Sequence, residues 1–202
     1  MNIIDYAMQY VGIKQGSKKH KEIIDGYNNN CLPLARGYKV TYTDSWCATF
    51  VSYVLKMCGN DESFPFECSV YYMTKNAKEK NLFVKTPKKG YVIVYDWSNN
   101  GTLDHVGIIT EINGTTLTVV EGNKSKQVGT RTIKKTSNEI YGYIKTNYTD
   151  DVATTDTAYV DIDTLVKDTI SGKYGNGETR KKLLGSNYEI VQQKVNEILS
   201  QK

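Results

Sequence analysis

Asp44-Ser45-Trp46-Cys47-Ala48-Thr49-Phe50-Val51-Ser52-Tyr53-Val54-Leu55-Lys56-Met57 is the stretch from which the fold can be read. From Cys47 to Met57 there is little polar content, Asp44 or Ser45 stands in place as an N-cap, and Gly59 lies just past the end. The pattern predicts a buried helix with Cys47 in its first turn. Upstream, Ile3, Ile4, Ala7, Met8 and Val11 form a helical stripe ending at Gly12, and a second helix is expected near Lys18 to Tyr27. Downstream, Val70 to Asn81 reads as helix. From Tyr91 onward β-branched segments take over: Tyr91 to Asp96, His105 to Ile112, Thr116 to Val120 and, as a closing strand, Ile140 to Lys145. Asn99-Asn100-Gly101 and Asn113-Gly114 supply turns between them. Helices first and an antiparallel sheet afterwards make an α+β domain.

The run Asn147 to Ala158 is small and polar with no periodicity and reads as a linker. Beyond it the period becomes helical again: Ile162, Leu165, Val166 and Ile170, then Leu183 and Leu184, then Ile190, Val191, Val195, Ile198 and Leu199. Ser186 with Glu189 matches a capping box at the start of the last helix. The expected organisation is therefore a catalytic-sized domain over 1–146, a linker over 147–158 and a small three-helix domain over 159–202.

Composition narrows the function. With 202 residues and 39% hydrophobic content, the chain can build one ordinary core and a small accessory unit. Its 26 Lys plus Arg nearly balance 22 Asp plus Glu, so it lacks the single-sign field of a dedicated nucleic-acid binder. No run approaches the ~20 apolar residues needed to cross a bilayer, and the opening residues do not resemble a secretion signal, so no membrane insertion is expected. Cys31, Cys47, Cys58 and Cys68 are too widely spaced for a zinc site and are expected to be free thiols. Sixteen tyrosines offer flat faces with polar tips, suited to half-buried strands and to sugars.

Cys47 is the sharpest chemical feature, because the first turn of a helix leaves N–H groups unpaired and favours a thiolate. Only His20 and His105 could serve it as base. His20, among Lys18, Lys19 and Lys21, is expected on a solvated helix face without a catalytic role. His105 opens a strand just after a turn, where its imidazole can stand at the open end of the sheet. Glu121 and Asn123 end the next strand, and either could orient the ring. Positions 105, 121 and 123 share a face only if a three-residue loop or a bulge intervenes, since a two-residue turn would pair 105 with 122.

Asp44-Ser45-Trp46-Cys47-Ala48-Thr49-Phe50-Val51-Ser52, Tyr95-Asp96-Trp97, Asp104-His105-Val106-Gly107-Ile108 and Glu121-Gly122-Asn123 resemble, in order, the CHAP family, the cysteine, histidine-dependent amidohydrolases/peptidases of phage lysins. The resemblance covers about residues 1 to 146. It implies a papain-like α+β fold cleaving amide bonds of peptidoglycan, with Cys47 as nucleophile, His105 as base, Glu121 orienting it and Asn123 as a further polar member. One departure is Gly90-Tyr91, where the family often has Gly-Asp. Some relatives bind calcium through an Asp-rich loop before the cysteine; Asp25 has only asparagines near it, so no metal is expected, and no cofactor is required. Gly172-Lys173-Tyr174-Gly175-Asn176-Gly177 with Arg180 is similar to the three-helix cell-wall-binding repeat of phage lysins, implying that Lys173, Tyr174, Asn176 and Arg180 contact muropeptides. The whole resembles an endolysin that waits in the host cytoplasm before reaching the wall. A cysteine protease acting on proteins and a non-enzymatic wall binder are the competing readings.

Overall fold

The structure, a computed structural model, describes residues 2–60, 63–148, 162–184 and 187–200. It divides into two compact units, Met1–Asp150 and Asp151–Lys202. In the first, the described residues place four α-helices before the sheet: α1 (Ile3–Met8), α2 (Lys18–Asn30), α3 (Cys47–Met57) and α4 (Val70–Glu79), with a short 3-10 turn at Ala35–Gly37. The strands are β1 (Phe83–Val84), β2 (Val92–Tyr95), β3 (His105–Asn113), β4 (Thr116–Lys124), β5 (Gln127–Lys134) and β6 (Ile140–Ile144), arranged β1-β6-β2-β3-β4-β5 with every pair antiparallel. This is the α+β architecture expected from the switch of period, with β1 and β5 added to the strands foreseen.

α3 is the centre of the helical layer. Every side chain from Cys47 to Leu55 is buried, which is what a helix apolar on nearly all sides requires. It packs with Ile23, Ile24 and Tyr27 of α2 and, on the sheet, with Val94, Val106, Ile108 and Val120. The opposite sheet face gathers Ile93, Tyr95, Ile109, Leu117, Val119, Ile133 and Tyr143. Both faces of the central strands are therefore covered, and β2 is buried at all four positions.

The entry to α3 differs from expectation. Trp46 occupies the N-cap position and no side chain caps the first turn. Asp44 instead ties its own loop, accepting hydrogen bonds from Thr41 N at 2.7 Å and from the Tyr38 hydroxyl at 3.0 Å. The first-turn N–H groups are thus left without a side-chain acceptor. His20 is also a correction: it is fully buried, with its ring 4.7 Å from that of Trp46 and its Nδ1 accepting from Gly16 N at 3.1 Å. The lysines beside it point outward while the imidazole fills the core side of α2. Burial and the Lys21 charge hold its pKa below the ordinary histidine value.

Two glycines set the spacing between layers. A Cβ on Gly122 would stand 2.4 Å from Phe50 Cβ, one turn after Cys47, so α3 approaches β4 more closely than any side chain there allows. A Cβ on Gly107 would meet Glu121 Cγ at 2.7 Å and Val119 Cγ1 at 2.5 Å, so its absence gives the Glu121 side chain its room. The β3–β4 register supplies the irregularity that the face argument needs: the pairing shifts between Ile109 and Glu111, while the turn leaves Asn113 opposite Thr116. The bulge at Thr110 thereby turns the inner half of β3 onto the face that β4 shares with it.

Asn147 and Tyr148, expected to open the linker, are held on the first unit. Asn147 N donates to Asn60 Oδ1 at 3.1 Å and Asn147 Nδ2 to Gly59 O at 3.2 Å, and the Tyr148 ring occupies the space a Gly90 Cβ would need. The rest of the expected linker, and Ser186 of the expected capping box, lie outside the described residues. The second unit has α5 (Ile162–Ile170), α6 (Gly177–Leu184) and α7 (Tyr188–Ser200) around a core of Val166, Leu184, Val191 and Val195. Ile170, Leu183, Ile190, Ile198 and Leu199, read as part of the apolar pattern, are exposed.

Gly122→Ala should move the start of α3 away from β4 and cost about 1–3 kcal/mol of stability, the usual range for overpacking. Urea unfolding of the variant checks this, and a value within error of wild type would show that the close approach does not constrain the layers.

Candidate active site

The loop between β2 and β3 fixes the start of β3. Asp96 accepts from Asn100 N at 3.1 Å and Gly101 N at 2.8 Å, and Asp104 accepts from Trp97 N at 2.8 Å, so the turn is closed by its own carboxylates. His105 follows directly, paired with Tyr95 across the sheet. Its ring lies 5.9 Å from Tyr95 and 6.0 Å from Trp97, and those two aromatics stack on each other at 4.2 Å.

Cys47, the first residue of α3 and 6% exposed, sets its thiol beside the His105 imidazole, near enough to favour the charged ring. His105 Nε2 is 3.3 Å from Glu121 Oε2. The ring N–H is not aimed at that oxygen, so the contact is an ion pair rather than a directed hydrogen bond. Burial opposes charge on the imidazole. The Cys47 and Glu121 contacts outweigh it and lift His105 to about 9.

Glu121 has no solvent exposure. Burial alone would raise its pKa, but His105 and Arg131 together hold it below the ordinary carboxylate value. Arg131, on β5, donates from Nε to both oxygens, at 2.8 and 3.1 Å, while its guanidinium lies 4.7 Å over the Trp97 ring. The Tyr95 phenol faces the same carboxylate, and burial pushes it above its usual range, so it stays neutral.

Of the four residues picked out from the sequence for catalysis, the structure brings Cys47, His105 and Glu121 together in a row. Asn123 lies two residues beyond Glu121, half-buried, with a left-handed backbone at φ 56° and no side-chain hydrogen bond among the described residues. The ladder to β5 is irregular there, between Glu121 and Lys124, which takes Asn123 out of simple strand alternation. Sequence reasoning missed Arg131 and gave no role to Tyr95 and Trp97. The alternation Val128, Thr130, Thr132 against Gly129, Arg131, Ile133 was the available signal for β5, but the turn before it, Ser125-Lys126, carries no glycine although both residues have positive φ.

In the second unit Lys173, Tyr174, Asn176 and Arg180 all belong to one corner. Lys173 Nζ is 2.7 Å from Asp168 and 5.9 Å over the Tyr174 ring. Arg180 donates to Gly175 O, Gln192 Oε1 and Asn176 Oδ1 at 2.9, 2.9 and 2.8 Å. Its polar atoms thus hold α6 to α7 as well as offering a surface. Among the described residues no group of three His, Cys, Asp or Glu side chains could hold a metal ion, and no helix is long and apolar enough to cross a membrane.

A nucleophile, a base and a buried carboxylate in this order can attack an acyl carbon, pass a proton to a leaving group and regenerate the thiol. Residues 26–123 match the CHAP domain and residues 163–199 the CW_7 repeat. The first match contains Cys47, His105, Glu121 and Asn123; the second contains the Lys173–Arg180 corner. No curated protein sequence matches the chain. Among solved structures it is similar to the one titled "The crystal structure of Ly7917", with 14% identity and a TM-score of 0.38 over 61% of this chain and 62% of that one.

Raising the His105 pKa from 6.5 to about 9 means that the charged imidazole stabilises the fold fully below pH 6.5 and that this contribution is lost as pH rises through about 9. The Tm difference between wild type and His105→Gln should accordingly narrow from pH 6.5 to about 9 in thermal unfolding. A difference that does not vary with pH would mean that no proton is held at this site.

Proposed function

We propose that the chain is a peptidoglycan hydrolase, a phage endolysin that cleaves an amide bond of the bacterial wall and lyses the host. The observation that carries this is the Cys47 thiol beside His105, whose Nε2 is paired with the buried Glu121. The match to a CHAP domain, a family of amidohydrolases and peptidases, and to a cell-wall repeat supports the substrate.

Cys47, as thiolate, attacks the amide carbonyl while His105 is imidazolium. The carbonyl oxygen takes the electron pair and is held by N–H groups of the uncapped α3 first turn, that of Cys47 among them. Collapse of the tetrahedral species breaks the C–N bond as His105 gives its proton to the leaving amine. A thioester remains on Cys47. The neutral imidazole then takes a proton from water as the hydroxide adds to the thioester carbon, and collapse of this second tetrahedral species breaks the C–S bond, releasing the acid and returning Cys47 thiolate beside His105 imidazolium. Glu121 stabilises the imidazolium each time it forms. Asn123, next to this row, is assigned to contacts with substrate.

Lys173, Tyr174, Asn176 and Arg180 keep the enzyme on the wall, with Arg180 and Asn176 joined in advance by their 2.8 Å bond. A single such unit binds weakly, because avidity requires linked copies. The reaction is the same for a muramoyl-alanine amidase and for an endopeptidase at a peptide link. In this reading the enzyme collects in the host cytoplasm and reaches the wall when another protein opens the membrane.

Cys47→Ala should lower the release of muropeptides from purified walls by at least about a thousandfold, since removal of a nucleophile leaves only binding and oxyanion contributions. Sedimentation with the walls should be unchanged. Undiminished release would remove the mechanism. Mass spectrometry of the wild-type products then separates the two amide classes by which new amino terminus appears.

A further inference from the structure

We infer that Arg131 is a positioning residue for this site: it pins the Glu121 carboxylate from β5 and takes a share of its charge, so that His105 can give up its proton during turnover. The inference rests on the proposed Cys47–His105 chemistry but not on the identity of the wall bond.

A carboxylate with no solvent exposure must have its charge met by protein groups, or it protonates. Two cations meet Glu121 from opposite neighbours in the sheet, and they meet it differently. Arg131 Nε reaches both oxygens at hydrogen-bond distance, whereas His105 Nε2 stands at 3.3 Å without a directed bond. The firmer contact belongs to the residue that cannot lose its charge. Arg131 is itself fixed, its guanidinium over Trp97 at 4.7 Å and Tyr95 at 5.8 Å. Trp97 and Tyr95 are also the rings that flank His105, so the arginine, the aromatic stack and the imidazole form one packed group.

This division has a chemical purpose. If Glu121 faced His105 alone, its whole charge would hold the imidazole as imidazolium, and the base required for thioester hydrolysis would seldom be free. With Arg131 present, Glu121 is ionised and oriented but its pull on His105 is partly offset. The other groups facing this cluster do not change the sign. Tyr95 from β2 is neutral, Cys47 from α3 acts on His105 rather than on Glu121, and Glu139 acts on Arg131 from the segment before β6.

The sign of the effect gives the test. Removing a positive charge makes every proton of the coupled cluster harder to lose, whichever member carries it. The full chain has two histidines, so the His105 imidazole can be followed by nitrogen NMR in wild type, Arg131→Met and Arg131→Lys. Arg131→Met should move the His105 midpoint upward by about one unit, a tenfold drop in free imidazole at neutral pH, with slower wall hydrolysis. Arg131→Lys should recover at least half of the shift. An unchanged midpoint, or one falling toward the ordinary histidine value because the site has come apart, overturns the inference, as does a lysine variant no better than methionine. Because NMR needs no substrate, these outcomes are distinct from failure of the hydrolase reading, which would appear as wild-type protein inactive on walls.

Discussion

Glu121 is a charge buried without water, and much of the first unit is arranged so that this is tolerable. Its room exists because position 107 has no side chain, its firm partner is Arg131, and its second partner is His105. Buried ion pairs do not in general stabilise a fold more than apolar packing would. Here the pair's value lies in function, because it sets the imidazole next to Cys47 in a defined orientation. Deleting either cation would leave a carboxylate that solvent cannot reach.

The same logic governs α3. A helix start inside a protein is normally closed by a side chain, and this one is not. Asp44, close enough in sequence to serve, is used to tie the preceding loop. Gly122 then lets Phe50 settle against β4, which places the open helix end where β3 begins. Local stability is given up at the point where free N–H groups can meet a developing negative charge, while the buried length of α3 keeps the helix in place.

Much of this was legible in the residues. The apolar run from Cys47 to Met57, the change of period at Tyr91 and the turn before His105 were enough for the layer order and for pairing Cys47 with His105, whereas the choice of Glu121 over Asn123 as the residue orienting the ring came from the family resemblance. The need for a three-residue loop or a bulge followed from side-chain alternation, and the structure has the bulge, at Thr110. What was not legible depended on tertiary context. β5 follows a turn made by Ser125 and Lys126 with positive φ and no Asn-Gly, so its alternation, and Arg131 with it, had no turn signal to mark it as a strand. His20 looked solvated because its lysine neighbours are, whereas one face of α2 is core. In the three-helix unit, helical period marked Ile170, Leu183, Ile190, Ile198 and Leu199 alongside the core residues, but a unit this small can bury only some of its apolar side chains.

The central claim is that His105 makes Cys47 reactive. All four cysteines are free, and Cys58 and Cys68 are more exposed than Cys47, with burial holding both of their thiols above the ordinary value. Site-resolved alkylation with iodoacetamide, read by peptide mass spectrometry in native wild type and in His105→Gln, compares them directly. Cys47 should react first despite its poorer access and lose that lead in the variant. Alkylation in the order of exposure, identical in both proteins, would contradict the account.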